Sequence, residues 1–332
     1  MKRMPSKTLF RPWLLAGVWL LMGLVGLTGC RADSHAVAGA AGDNVREVEL
    51  QGSVSRLVAQ GRTDVVYVQQ SGRAYARIEA PEQARVKVTC HGAEVKITSS
   101  GSGSAATARN VVYVYAPEIT EFVTSGMGSI ELERGVRTAR NVVLAAQSVG
   151  HIKSPRTVCR DLRVQINSCG NVDAGRVRSE VCRVSTQSSG SFRADQVRCD
   201  EARLAQSGSG NCSISQLDCG GDVYVDVRSS GSCSVSRLSS RGRVSASTRS
   251  SGSILLAGRC GNADYQCHSS GSIRADRLRA RHVTVRLTSV GSVYCNTDGR
   301  LNVECSSSHG GQVCYTGHPS RIEGSSLNLK RL

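Results

Sequence analysis

Aromatic residues are scarce. Phenylalanine, tryptophan and tyrosine make up 4% of the 332 residues, with only three Phe and two Trp. Both tryptophans, Trp13 and Trp19, fall in the first 29 residues. Sites that need several stacked rings, such as many sugar or single-strand binders, are therefore disfavoured. Lysine is nearly as rare: of 42 basic residues only Lys2, Lys7, Lys87, Lys96, Lys153 and Lys330 are lysines. The formal net charge of +16 is thus an arginine charge. Only one long apolar run occurs, near the N-terminus, which excludes a polytopic helical membrane protein. No pair of cysteines has the Cys-x2-Cys spacing of a zinc knuckle. The 35 glycines lack a Gly-X-Y period, so collagen is excluded, and 39% apolar content excludes full disorder. No window sustains helical periodicity over three turns.

What is present begins with an export signal. Lys2, Arg3, Lys7 and Arg11 precede the apolar run from Trp13 to Leu27. The run ends Leu27-Thr28-Gly29-Cys30, which resembles the lipobox of bacterial lipoproteins. The expectation is a signal peptide over residues 1–29 and lipidation of Cys30. The lipid would hold the protein to a membrane, on the outer membrane of the cell envelope. Residues 30–44, small and polar, read as a flexible tether.

A short phrase, Ser-x-Gly-Ser-Ile or a relative, then recurs down the chain. Its glycines are Gly128, Gly150, Gly170, Gly190, Gly210, Gly231, Gly252, Gly271, Gly291 and Gly311. The steps are 22, 20, 20, 20, 21, 21, 19, 20 and 20 residues. Between marks, small apolar and polar residues alternate: Phe192, Ala194, Val197, Cys199, Ala202 and Leu204 follow Gly190. This is the period-two pattern of half-buried strands. The glycines are expected to supply the bends by taking positive φ. One such unit cannot bury its apolar side alone, but stacked units can. The fold class is therefore all-β: a parallel β-helix, or β-solenoid, with coils of about 20 residues. Ten coils would make a rod on the order of 50 Å long. A propeller needs longer blades and a sandwich needs hairpin turns.

Residues 45–120 carry strand patterns without the mark, and hold Tyr67, Tyr75, Tyr113 and Tyr115, four of the eight tyrosines. They are expected to form a more irregular β cap on the N-terminal end. The solenoid should span 121–317, and 318–332 should be a tail or second cap.

The order of these segments resembles a known family. Arg46-Glu47-Val48 opens, then Asp64-Val65-Val66-Tyr67-Val68-Gln69-Gln70, then Ala74 to Pro81. A Val-Tyr-Val strand ending in Pro117 follows, then Ser125-Gly126-Met127-Gly128-Ser129-Ile130 and further Ser-Gly-Ser turns. Over residues 45–315 the chain resembles bacterial lipoproteins of the auto-transporter adhesin, head GIN domain family. The resemblance implies a β-helical fold and an envelope location, and identifies no catalytic residues.

The residues yield no catalytic set. Asp195 and Asp276 fall at the same bend but four coils, on the order of 19 Å, apart, beyond the reach of a glycosidase pair. His151, His268, His282, His309 and His318 are scattered. Cys267, His268, Cys305, His309 and Cys314 are near in sequence, but read as separate core thiols and surface imidazoles. No cofactor, no metal and no specific nucleic acid partner is expected. A polysaccharide-active β-helical enzyme remains as a rival.

Cysteines and arginines both keep step with the repeat. Cys159, Cys199 and Cys219 fall nine residues after their glycine, and Cys212 and Cys233 two after. Adjacent coils would bring Cys199 to Cys219, and Cys212 to Cys233, within disulfide range. Mostly free, buried thiols are expected, since Cys behaves as a small hydrophobe. Arg178, Arg198 and Arg279 fall eight after the glycine, Arg176, Arg237 and Arg277 six after, and Arg193 and Arg274 three after. They should form outward stripes. Two readings stay open: a face for an anionic surface polymer or headgroups, or a solvated face that keeps stacked strands soluble. The functional expectation is a non-catalytic structural, adhesin-like or binding module, with an envelope protein or anionic polymer as partner.

Overall fold

The computed structural model describes residues 45–80, 85–100, 110–306, 310–324 and 328–332. Cys30, the expected signal and tether, and His309 lie outside the described residues. Among the described residues every regular element is a strand, and the parallel strands stack as a β-solenoid with coils about 20 residues apart.

One coil shows the construction. The strand Asn171–Arg178 buries Val172, Ala174 and Val177. Gly175 and Arg176 both face outward, so alternation breaks and the chain turns a corner. The ladder omits that residue: Ala174 pairs with Ala194 and Arg176 with Gln196 in the next coil, while Gly175 is unpaired. A second corner follows at Ser179-Glu180, where Glu180 N–H donates to the Arg160 carbonyl at 2.6 Å. The strand Val181–Thr186 then buries Cys182, Val184 and Thr186. The Ser-Ser-Gly phrase turns the last corner. Three faces therefore enclose a narrow interior.

Equivalent side chains stack in columns. Val172, Phe192, Cys212, Cys233, Ile254, Ile273, Val293 and Val313 form one. Val184, Leu204, Val225, Ala246 and Tyr265 form another. All are buried. Small neighbours offset large ones: Phe192 lies between Val172 and Cys212, and Tyr265 beside Ala246. The six inward positions read from the sequence after Gly190 are all buried.

The repeat glycines work differently from the expectation. Positive φ occurs at Gly52, Gly61, Gly72, Gly92, Gly135, Gly258, Gly310, Gly317 and Gly324, and at none of the ten repeat glycines. Space is what these positions lack. A Cβ on Gly210 would sit 1.8 Å from the Gly190 carbonyl oxygen, and one on Gly150 would sit 2.0 Å from Thr124 Oγ1. The corner is closed by hydrogen bonds between coils: the Ser191, Ser232, Ser253 and Ser272 N–H groups donate to the Gly170, Gly210, Gly231 and Gly252 carbonyls at 3.0–3.3 Å.

The N-terminal end does not stack in chain order. Arg56–Gln60 and Asp64–Gln69 pair in parallel with Glu121–Thr124 and Ile130–Leu132 on one side. On the other side they pair in parallel with Glu94–Thr98 and Val111–Ala116, which come later in the chain. Tyr75–Glu79 then runs antiparallel between Val111–Ala116 and Val45–Glu49, and Lys87–His91 runs antiparallel to Glu94–Thr98. The edge strand Val45–Glu49 carries Arg46, Glu47 and Glu49, charges that discourage another chain from adding to it.

Candidate functional site

The second, shortest face of the coils carries the most arginine. The register puts Arg156 beside Arg176, Arg178 beside Arg198, and Arg259 beside Arg279. Neighbouring strands are about 4.8 Å apart, so these like charges stack closely. A hollow of about 650 Å³ runs along this face, floored by Cys159, Cys199 and Cys219 and flanked by Arg178, Arg198 and Arg241. A second hollow of about 320 Å³ shares Val158, Arg178 and Arg198 with it and adds Arg156 and Arg176. A third, of about 440 Å³, shares Asp218 and Ser239 with the first and adds Arg237 and Arg259. Together they form one valley.

Seven arginines line the valley (156, 176, 178, 198, 237, 241 and 259) against three acids, Glu180, Asp200 and Asp218. Asp218 pairs with Arg198 at 3.5 Å. Among the described residues the other six arginines make no ion pair, and all seven are exposed. The stripe is therefore basic but punctuated by acids along one rim. Long guanidinium side chains held by a rigid sheet can offer paired donors to carboxylate or phosphate groups.

The sequence-derived arginines divide. Arg176, Arg178, Arg198 and Arg237 line the valley, and Arg277 and Arg279 continue the same face. Arg279 is tied to Asp298 at 2.7 Å. Arg193 and Arg274 stand before the unpaired corner residue and so lie on a different face. Arg193 is in register with Asp173, and Arg274 lies 5.6 Å over the Tyr294 ring. Arg156, Arg241 and Arg259 are not among the arginines that the sequence singles out. Register with Arg176 finds Arg156, and register with Arg279 finds Arg259; Arg241 is placed only by the hollow that it lines.

Twelve of the described cysteines, from Cys159 to Cys314, are free thiols. Cys199 and Cys219 are register partners, as are Cys212 and Cys233. In both pairs the two thiols are near enough to shift each other's titration. Contact with Cys233 and burial push Cys212 well up. Cys219 is held low, chiefly because the Cys199 thiol donates to its sulfur, aided by the backbone at Gly221 and Ala202. Burial pushes the solitary Cys159 up to about 12. The imidazoles are dispersed: His151 faces Asp173 at 3.3 Å, His282 Nδ1 accepts from Arg300 N–H at 3.2 Å, and His318 meets Arg331 at 3.0 Å. Among the described residues no three metal-ligating side chains converge.

The aromatics are concentrated at the N-terminal end. Tyr67 and Phe122 are fully buried with ring centroids 5.1 Å apart. Burial pushes the Tyr67 hydroxyl up to about 12. Tyr75 and Tyr115 stack at 4.6 Å on the outer face, with Tyr113 at 6.5 Å from Tyr115. Scarcity alone does not reveal that the few rings are gathered.

Comparison with known proteins matches the chain to one family model over residues 55–237 and 220–319, described as "Putative auto-transporter adhesin, head GIN domain". No curated protein matches. Among solved structures, a "putative adhesin" of Parabacteroides distasonis is similar at 10% identity and a TM-score of 0.39, covering 87% of this chain and 96% of that one. A "putative lipid binding protein" of the same species has 18% identity and a TM-score of 0.31, with 89% and 98% covered. A "putative adhesin" of Parabacteroides merdae has 13% identity and a TM-score of 0.32, also with 89% and 98% covered. At such scores these superpositions carry no weight beyond the family match. That match spans most of the chain, its repeats included, and the protein belongs to the auto-transporter adhesin, head GIN domain family.

Proposed function

We propose that the chain is a non-catalytic, adhesin-like binding module of the bacterial cell envelope, whose arginine valley takes an anionic surface polymer. Family membership supports the adhesin-like, envelope-associated side of this reading. One observation carries the choice of ligand: Arg156 and Arg176 stand in register with Arg178 on the same face, and among the described residues none of the three meets a carboxylate. A rigid array of unpaired guanidiniums repels itself and is relieved by a polyanion. Cys30 is the proposed lipid site, with the membrane as the second partner.

A polyanion pull-down over a salt series tests the valley. Binding should weaken steeply with salt, and the double variant Arg176→Glu/Arg178→Glu should bind weakly at every salt. A flat salt dependence would remove this reading. For the anchor, Cys30→Ser should move the protein from the membrane fraction to the soluble one. A screen against acidic and neutral polysaccharides should yield no cleavage product.

A further inference from the structure

The two stacked cysteine pairs share one geometry and differ in access. Each joins equivalent positions on adjacent coils, about 4.8 Å apart, inside the range of Cα separations that a disulfide spans. Cys199 and Cys219 sit at the second corner, in the floor of the arginine valley. Cys212 and Cys233 face the interior, stacked between Phe192 and Ile254. Cys159 also reaches the valley floor, but Ser179 stands at the equivalent position on the next coil, so it has no thiol neighbour there.

We propose that Cys199 and Cys219 form a thiol modification site, which small anionic disulfides reach through the valley and convert to an intrachain disulfide.

Cys219 is the attacking group. Its S–H donates to the Asp200 carbonyl at 3.3 Å and to the Asp222 carbonyl at 3.4 Å, which fix the sulfur's position until the proton is given up to water. Arg178, Arg198 and Arg241 line the hollow beside the pair and attract an anionic reagent. The steps balance. The Cys219 thiolate attacks one sulfur of RSSR, a mixed disulfide forms, and RS⁻ leaves. Cys199, losing its proton to water, then attacks the Cys219 sulfur and expels the second RS⁻. Two protein thiols are oxidised, RSSR is reduced, and two RSH result after proton uptake. The product staples the coil carrying Arg198 to the coil carrying Asp218.

The test treats the full chain with oxidised glutathione, then alkylates, unfolds, labels the remaining thiols and maps peptides. A Cys199–Cys219 link should form at least about tenfold faster than any Cys212–Cys233 link, because access and thiolate fraction set the rate. Cys199→Ser should trap glutathione on Cys219, and Cys219→Ser should leave Cys199 unmodified. Three results would overturn the proposal. One is no Cys199–Cys219 link when the same chain, unfolded in urea, forms disulfides with the same reagent. Another is equal rates for the two pairs. The third is glutathione trapped on Cys199 in Cys219→Ser.

Discussion

The repeat stack and the N-terminal end bury apolar surface in opposite ways. In the stack, each inward residue touches its equivalent about 20 residues away, and spatial order follows chain order. At the N-terminal end, Arg56–Gln60 and Asp64–Gln69 lie between later segments and the rest of the stack. Its core holds Tyr67 and Phe122, where the coils of the stack more often hold Val, Ala and Cys. The contacts are also longer in sequence. Gln69 donates to the Pro117 carbonyl at 3.0 Å and the Arg137 carbonyl at 2.9 Å, and accepts from Arg137 N–H at 2.8 Å. Asp64 accepts from Ser129 N–H at 3.0 Å and its hydroxyl at 2.7 Å. Nearest-neighbour stacking makes a rod that can be added to or lost coil by coil. The interleaved end has to assemble as one piece.

The largest test of this contrast is Phe122→Ala. It should cost about 4 kcal/mol, read from the urea midpoint, because a fully buried ring and its Tyr67 contact vanish. Loss should extend beyond the N-terminal strands if that end nucleates the stack. Hydrogen exchange unchanged from Val142 onward would break the comparison. Gly210→Ala should cost about 3 kcal/mol, since the Gly190 carbonyl must move. Its exchange signature should stay within the coils on either side. Gln69→Ala should cost about 2 kcal/mol by removing three hydrogen bonds that tie the end to the first repeats. Arg176→Glu/Arg178→Glu should change stability by less than about 1 kcal/mol while weakening polyanion binding at every salt, since both side chains are exposed.

The smallest expected effect is a pH response near the C-terminal coils. The His318 backbone N–H, and then Arg279, hold the exposed Asp298 carboxyl below its usual range. A lowered carboxylate contributes stability above its unfolded value, near pH 4, and loses it as pH falls through the folded value. Protection of the His318 amide, taken relative to its intrinsic exchange rate, should therefore fall below about pH 4 and be flat above it. A faster exchange on raising the pH from 5 to 7, beyond the intrinsic rate, would contradict that assignment.

Much of this is legible in the residues. The Ser-x-Gly phrase marks the third corner, and the alternation after it names the buried positions. Arg176 and Arg178 share a face because no corner falls between them. Arg193 does not share it with Arg198, because the unpaired corner position 195 intervenes. That corner leaves little trace in the sequence: Pro155, Gly175 and Asp195 occupy it in successive coils. The interleaving at the N-terminal end is hidden for another reason. Asp64–Gln69 and Val111–Ala116 have the same alternating pattern, and the pattern does not say which strand lies outside which. Stacked cysteine pairs follow from spacing, but the hollow beside one of them depends on side chains from several coils.

The hydrogen bonds that close the glycine corner have a mechanical consequence. They run from coil to coil along the rod, in the direction that a pull between its ends would load. Parallel strands pulled that way separate rung by rung rather than shearing together. Each coil that peels would free about 20 residues, on the order of 70 Å of extended chain. A tether built this way yields in steps, and lengthens under tension while the coils beyond the break stay wound.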